Sequence, residues 1–394
     1  MLESQGDTQA GSSKRTDVRH YLRREPVIIL ALLSVLAVVF FLAVTELSHI
    51  YQAQQESLGN RWFMRGTADL KQGRFEAAVT EFRAALLYSR DSYVYQLNLA
   101  EALVGVKRTP EAYAYLINLW EREPENGLVN LELGRIAAQK GETEQALRYY
   151  HNAIYATWPG DQQVQRRDTR LELIEYLLNI NAKAQAQAEL IALAANLEDD
   201  PAQQARVGNL FLQAQDYEHA LAEYRLSLKA QPHAAAALAG AGLCAFQLGR
   251  YNVAEGYLQA AVSANPNDSQ SAARLRTAVL VMQMDPFQRQ ISVAQRDRIV
   301  FEAFAAAGHR LEACAAAGDS KGHGASPGLQ PSLAEEWKKM KPRITELGLR
   351  RDPDLVNTAM DVIFNIERQS GSACGAPGET DAALLLIAKL HESN

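Results

Sequence analysis

Cysteine is scarce in this 394-residue chain, with three in all, and positive charge is in deficit: 40 Lys and Arg stand against 46 Asp and Glu, a formal net charge of −6. That balance leaves no basic footprint for phosphate backbones. No arginine-rich block interleaved with aromatics occurs outside a short N-terminal cluster, so nucleic acid is not expected as a partner. Catalytic signatures are missing as well. There is no G-x-S-x-G, no P-loop and no G-x-G-x-x-G cradle, and no carboxylate pair stands out from ordinary helix-surface charge. The chain is therefore not read as an enzyme, and no cofactor or small-molecule substrate is expected. A metal site from His309, Cys314, His323 and Cys374 is disfavoured, because ligands on one helix face recur at i and i+4 whereas His309 and Cys314 are five apart. With 22% charged and 47% apolar residues, the composition is that of a folded protein, and the length implies more than one structural unit.

Long apolar runs are also rare, with one exception. Pro26 to Val44 reads PVIILALLSVLAVVFFLAV, in which Ser34 is the one polar side chain, and about 19 residues suffice to span a bilayer core. A core helix is seldom apolar all round for so long, so residues 26–44 are read as a single transmembrane helix in contact with the lipid bilayer. Lys14, Arg15, Arg19, Arg23 and Arg24 precede it, and Thr45 to Asn60 contains no Lys or Arg. The positive-inside rule then makes residues 1–25 a cytoplasmic leader and puts everything after Val44 outside the cytoplasmic membrane. A cleaved signal peptide is the rival, against which stand the 25-residue leader and the lack of a small-x-small site after the span.

The rest of the first two-thirds is periodic. From Gly59, a frame of 34 residues runs over 59–92, 93–126 and 127–160, slips by the six residues Asp161 to Arg166, and resumes over 167–200, 201–234 and 235–268. Position 20 of the frame is Ala78, Ala112, Ala146, Ala186, Ala220 and Ala254. Position 24 is Phe82, Leu116, Tyr150, Leu190, Tyr224 and Leu258, and position 32 is Pro124, Pro232 and Pro266 in three copies. With Trp62, Gly66 and Gly73 in the first copy, this pattern resembles the tetratricopeptide repeat, a helix-turn-helix unit of about 34 residues. A small residue at position 8 (Gly66, Ala100, Gly134, Gly208, Gly242) is expected to lie close to the position-20 alanine, and Gly73, Gly141 and Gly249 to end the first helix in a left-handed conformation. In the second copy Thr109 and Pro110 look like N-cap and first helical residue. The fourth copy departs most, with Ile174 at position 8 and Glu198 in place of proline.

The resemblance implies an all-α chain: a solenoid of helical hairpins preceded by the transmembrane helix and followed by a small helical C-terminal region. It also implies a groove, lined by first-helix residues, that takes a peptide or helix of another protein. Asn98, Glu101, Glu132, Arg135, Glu172, Glu175, Arg206 and Asn209 fall on its lining positions, with a possible apolar stripe of Leu97, Leu131, Leu171, Leu212 and Phe246. Taken singly, such charges are more often found simply on a solvated helix face, and the stripe residues are equally expected to pack between neighbouring helices. Beyond the repeats, 269–286 is expected to cap the last copy, and 287–394 to be helical around a Gly, Pro and Ser linker at 318–332. Cys314 and Cys374 in this tail are disulfide candidates if it lies in an oxidising compartment, and Cys244 is a buried small hydrophobe. The expected function is a membrane-anchored scaffold or adaptor on the extracytoplasmic side. Alternatives are a periplasmic chaperone or assembly factor for translocated proteins or cytochrome c maturation, and an enzymatic C-terminal region.

Overall fold

The computed structural model describes residues 17–158, 160–197, 199–319 and 331–392. Among them there is no β-strand, and the chain is a succession of α-helices. They fall into two compact units divided at Thr169.

The first unit opens with α1, Asp17–Lys71, a single helix of 55 residues. It contains the apolar span and does not stop at Val44. Thr45 to Leu58 has no proline or glycine to break it, and the helix runs on to become the first helix of the first repeat. From Ile28 to Val44 no residue of the span is buried, whereas Gly59, Gly66 and Asp69 near the C-terminal end are buried against the next helix.

Five more helices complete this unit up to the insertion: α2 (Phe75–Tyr88), α3 (Tyr93–Gly105), α4 (Thr109–Arg122), α5 (Gly127–Lys140) and α6 (Thr143–Tyr155). The helix α7, Gln162–Asn179, crosses into the second unit. There α8 (Lys183–Ala194), α9 (Pro201–Gln213), α10 (Tyr217–Ala230), α11 (Ala235–Gln247) and α12 (Tyr251–Ala264) continue the alternation.

One backbone device closes every hairpin. Gly73, Lys107, Gly141, Asn181, Gln215 and Gly249 have φ between 59° and 73°, and all six sit at position 15 of the frame. At each, the following N–H donates to the carbonyl five residues back, as from Arg74 to Asp69, Ala182 to Leu177 and Asp216 to Phe211, at 2.8–2.9 Å. This is the Schellman closure of a helix. Half of the copies do without glycine there, so Lys107, Asn181 and Gln215 carry a modest left-handed strain. The entry to the first helix is capped at position 34, where the side chains of Ser92, Asn126, Asp200 and Asp268 accept from backbone N–H groups of the helix that follows. Thr109 does not act as a cap. It is already inside α4, whose N-cap Arg108 makes no side-chain bond, and Pro110 occupies the first turn.

Packing explains the columns, with one revision. A Cβ added at Gly66 would lie 2.6 Å from Phe82, and one at Gly208 would lie 3.1 Å from Tyr224, so the small residue at position 8 makes room for the large residue at position 24. The position-20 alanine, fully buried in all six copies, is not its nearest obstacle. Tyr224 is wedged between Gly208 and Gly240, and its hydroxyl donates to Asn209 Oδ1 at 2.6 Å. In the fourth copy Ile174 and Leu190 are both fully buried in the core shared with the fifth and sixth. The aromatic ring is replaced there by two aliphatic side chains. The six-residue slip is absorbed by starting α7 five residues ahead of the frame. Before it, Thr157 pairs with Asn126 in a parallel bridge, and Trp158 is buried over Gly127 with its Nε1 donating to Ala153 O at 2.8 Å.

After the repeats, α13 (Ser269–Met284) is capped by Asp268 and packs on α12. The tail helices are α14 (Val293–Asp319), α15 (Pro331–Met340), α16 (Glu346–Arg351), α17 (Asp354–Ala373) and α18 (Glu379–Glu392). The helix expected from Phe287 begins later, because Asp285 and Pro286 form a turn held by Asp285 Oδ1 accepting from Phe287 N, and Ser292 caps α14. Within this region α15 ends at Met340, just before Pro342, and Thr345 caps α16. Residues 320–330, most of the expected linker, lie outside the described residues, as does His323. One hydrophobic core joins this tail to the last repeat: Tyr251, Ala278 and Val281 are buried together with Val300, Phe304, Trp337, Ile363 and Leu384.

Candidate partner-binding surface

The eight groove residues divide between the units. In the first unit, Glu132 on α5 is 2% exposed and Arg135, one turn on, pairs with it at 2.5 Å. Glu101 on α3 is pushed above the usual carboxylate range by burial, and the Arg135 guanidinium partly opposes that shift. Two carboxylates thus share one cation. Asn98 turns back on its own helix, donating to Val94 O at 2.8 Å. In the second unit, Arg206 on α9 reaches Glu175 on α7 at 3.1 Å, with both side chains more than half exposed. Asn209 is exposed but engaged by the Tyr224 hydroxyl, and Glu172 is half-buried.

Neither arginine is therefore a free cation awaiting a ligand. Arg135 is structural in part, because it neutralises a buried carboxylate; Arg206 sits in a solvent-exposed pair of small energetic consequence. Of the expected apolar stripe, Leu131 is buried and Leu97, Leu171, Leu212 and Phe246 are half-buried. Leu171, Leu212 and Phe246 pack against the second unit's core. In the second unit, Glu175, Arg206 and Asn209 are the exposed members of the set.

The tail holds polar groups that the sequence did not single out. Glu367 on α17 is fully buried, and Arg310 on α14 approaches it with Nε 3.4 Å from Oε2. Arg310 also reaches Asp381 Oδ2 on α18 at 2.7 Å and Gly375 O at 3.1 Å. Burial, reinforced by the nearby Asp381 charge and only partly offset by Arg310, raises the Glu367 carboxyl to about 7. Among the described residues neither Glu367 oxygen accepts a hydrogen bond, nor does the buried Ser370 hydroxyl one turn away find a partner. Sealed inside the core, this group can take up or release a proton but cannot reach a substrate. The missed signal was periodicity: Ala359, Ile363, Ile366, Glu367 and Ser370 share the buried stripe of α17, and a charge on such a stripe needs a partner.

Cys314 and Cys374 are joined as a disulfide with Cα atoms 5.5 Å apart. They flank an open cleft lined also by His309, Arg310, Thr380 and Asp381. Cys244 is fully buried and its thiol is pushed up to about 12 by that burial, so it is a packing residue rather than a nucleophile. Among the described residues no three His, Cys, Asp or Glu side chains gather as metal ligands.

A family model described as tetratricopeptide repeat matches residues 63–118, 97–162 and 206–269. Those residues carry tetratricopeptide repeats. The matched residues leave out 163–205, the stretch with the rest of α7 after Gln162 and the aliphatic substitute at Ile174. No curated protein matches the chain. Among solved structures the repeats are similar to YrrB, a TPR protein, at 17% identity and a TM-score of 0.38, covering 48% of this chain and 95% of that one. They are also similar to PilF of Pseudomonas aeruginosa, at 17% identity and 0.39, covering 56% and 97%. The C-terminal part of a TPR protein from Cytophaga hutchinsonii matches at 13% identity and 0.43, covering 60% and 92%. At these identities the likeness is one of fold. TPR domains are protein-interaction modules.

Proposed function

We propose that the chain is a membrane-anchored interaction scaffold whose TPR array works on the extracytoplasmic side and binds a peptide or helix of another protein on its first-helix face. The observation that carries this reading is α1. An apolar segment with mean hydropathy 3.0, none of it buried, continues without a break into the first repeat. A helix so apolar and so uncovered needs a hydrocarbon environment, and its length suits a bilayer.

Two further features support the placement outside. Positive charge is confined to the N-terminal flank of the span. The Cys314–Cys374 pair is of a kind that persists in oxidising compartments and is rare in the cytosol. For binding, the mixed charges of Glu101 and Arg135 in the first unit, and of Arg206 and Glu175 in the second, favour a partner segment that is itself mixed in charge. Reporter fusions after Asn394 provide the test. A periplasmic alkaline phosphatase should be active and a cytoplasmic fluorescent protein dark; the reverse pattern would overturn the topology.

A further inference from the structure

Between the span and the first repeat, α1 carries an apolar stripe that nothing in the described structure covers. Val44, Leu47, Ile50 and Tyr51 are 55–67% exposed, and with Ser48 and Gln54 they line a shallow depression on one side of the helix. The spacing is informative. Val44, Leu47, Ser48 and Tyr51 stand at i, i+3, i+4 and i+7, and so do Leu47, Ile50, Tyr51 and Gln54. Each such diamond of four residues is the hole that receives one side chain of a facing helix in a coiled coil. We infer that this juxtamembrane stretch of α1 pairs with the same stretch of a second copy, in a parallel two-stranded coil that holds the protein as a dimer at the membrane surface.

Three features select a second copy over other occupants. First, charge permits self-pairing. Glu46 and Glu56 lie on the opposite side of the helix, while the residues flanking the seam, Ser48, Ile50, Gln55 and Ser57, are uncharged, so two identical helices meet no like charges. Second, a span common to both copies would set them in the same bilayer, parallel and at equal height, which is the in-register arrangement the stripe requires. Third, a β-branched residue at the first seam position and leucine at the second, Val44 and Leu47, favour two strands over three or four. Lipid is a poorer fit, because Glu46, His49 and Glu56 make the other side polar at the same depth. The exposed stripe extends about 10 Å beyond Val44 at 1.5 Å per residue.

The inference rests on the membrane anchoring proposed above, and its test separates the two. Single cysteines are placed in the full-length chain at Leu47, Tyr51 and Gln54 on the seam, and at Glu46, His49 and Ala53 away from it, and native membranes are exposed to a mild thiol oxidant. Cys244 is buried and Cys314 is joined to Cys374, so the native cysteines do not compete. Seam positions should give an adduct of twice the chain mass at several-fold higher yield than the others. Equal yields at all six positions, no doubled adduct, or adducts of a different mass would overturn the pairing while leaving the anchor intact, provided the chain sediments with membranes. A chain recovered from the soluble fraction would overturn both. As a second variant, L47E with Y51E should turn the detergent-solubilised dimer into a monomer by analytical ultracentrifugation and leave repeat unfolding unchanged. A dimer that survives the double change would refute the seam.

Discussion

The repeat cores and the tail core are built from the same kinds of helix but solve the packing problem differently. In the repeats, close approach comes from a small residue set against a large one, as at Gly208 and Tyr224, and the buried carboxylate of Glu132 is paired with the partly exposed Arg135. In the tail, a carboxylate is fully buried at Glu367, Asp297 is fully buried beside Arg296 and Arg350, and a disulfide ties α14 to the end of α17. A repeated hairpin can rely on shape because each copy supports the next. A single irregular bundle is not built from such repeating neighbours and is held by a disulfide and buried ion pairs, so it answers to redox state and carries in Glu367 a carboxyl raised to about 7.

The largest expected difference is at the disulfide. Replacing both Cys314 and Cys374 with serine opens a loop of 60 residues and should cost the tail about 4 kcal/mol in the loop-entropy account. Hydrogen exchange should report the loss in α14, α17 and α18 and leave α1 to α6 unchanged. Next comes pH. The Glu367 carboxyl is raised from 4.5 to about 7 in the folded protein, so its contribution is fully present below the unfolded value and is lost as pH rises through about 7. Unfolding of the tail should weaken by roughly 3 kcal/mol between pH 5 and pH 8, and Glu367→Gln should flatten that slope. A slope that survives the substitution would assign the effect elsewhere.

Overpacking probes the repeats. Ala220→Phe or Ala146→Phe puts a ring at a fully buried position and should cost roughly 1–3 kcal/mol or more; unchanged thermal unfolding would contradict the hairpin packing. The smallest effects separate the two arginines. Arg135→Glu sets a second carboxylate against buried Glu132 and should destabilise the first unit by about 2 kcal/mol, discounted for the partial exposure of Arg135. Arg206→Glu should change stability by less than ~0.5 kcal/mol, because its pair with Glu175 is exposed. Charge reversal at Arg206 is thus the clean probe of partner binding, and at Arg135 it is not.

The all-α repeat architecture was legible because the columns of Ala, Gly and aromatic residues report contacts that recur. Tyr224, Gly208 and Ala220 announce one another at fixed spacing. The helix-closing position was legible where glycine marks it, at Gly73, Gly141 and Gly249. Asn181 carries a weaker signal, as the residue type that best tolerates a left-handed backbone after glycine, and Lys107 and Gln215 adopt it with no signal in residue type, since the Schellman bonds around them enforce it. The continuation of α1 past Val44 leaves no mark in hydropathy, which falls there, although helix propensity does not. The Arg310, Glu367 and Asp381 cluster was illegible because its members are 57 and 14 residues apart in sequence, on three helices whose packing no repeat predicts. Groove residues could be assigned to a helix face by position. Burial of Glu132 and the Tyr224 bond to Asn209 come from neighbours in adjacent elements and needed the structure.

The central claim, that a partner is held on the first-helix face of an extracytoplasmic TPR array, is tested most directly by photo-crosslinking in intact cells. A photoreactive amino acid is placed singly at Asn98 and Arg206 on that face, and at Lys229 and Gln259 on exposed surfaces of second helices. The account predicts that Asn98 and Arg206 capture one common protein partner from the extracytoplasmic side, with little or no adduct from Lys229 and Gln259. Equal capture at all four positions, or capture of a cytoplasmic protein, would contradict it.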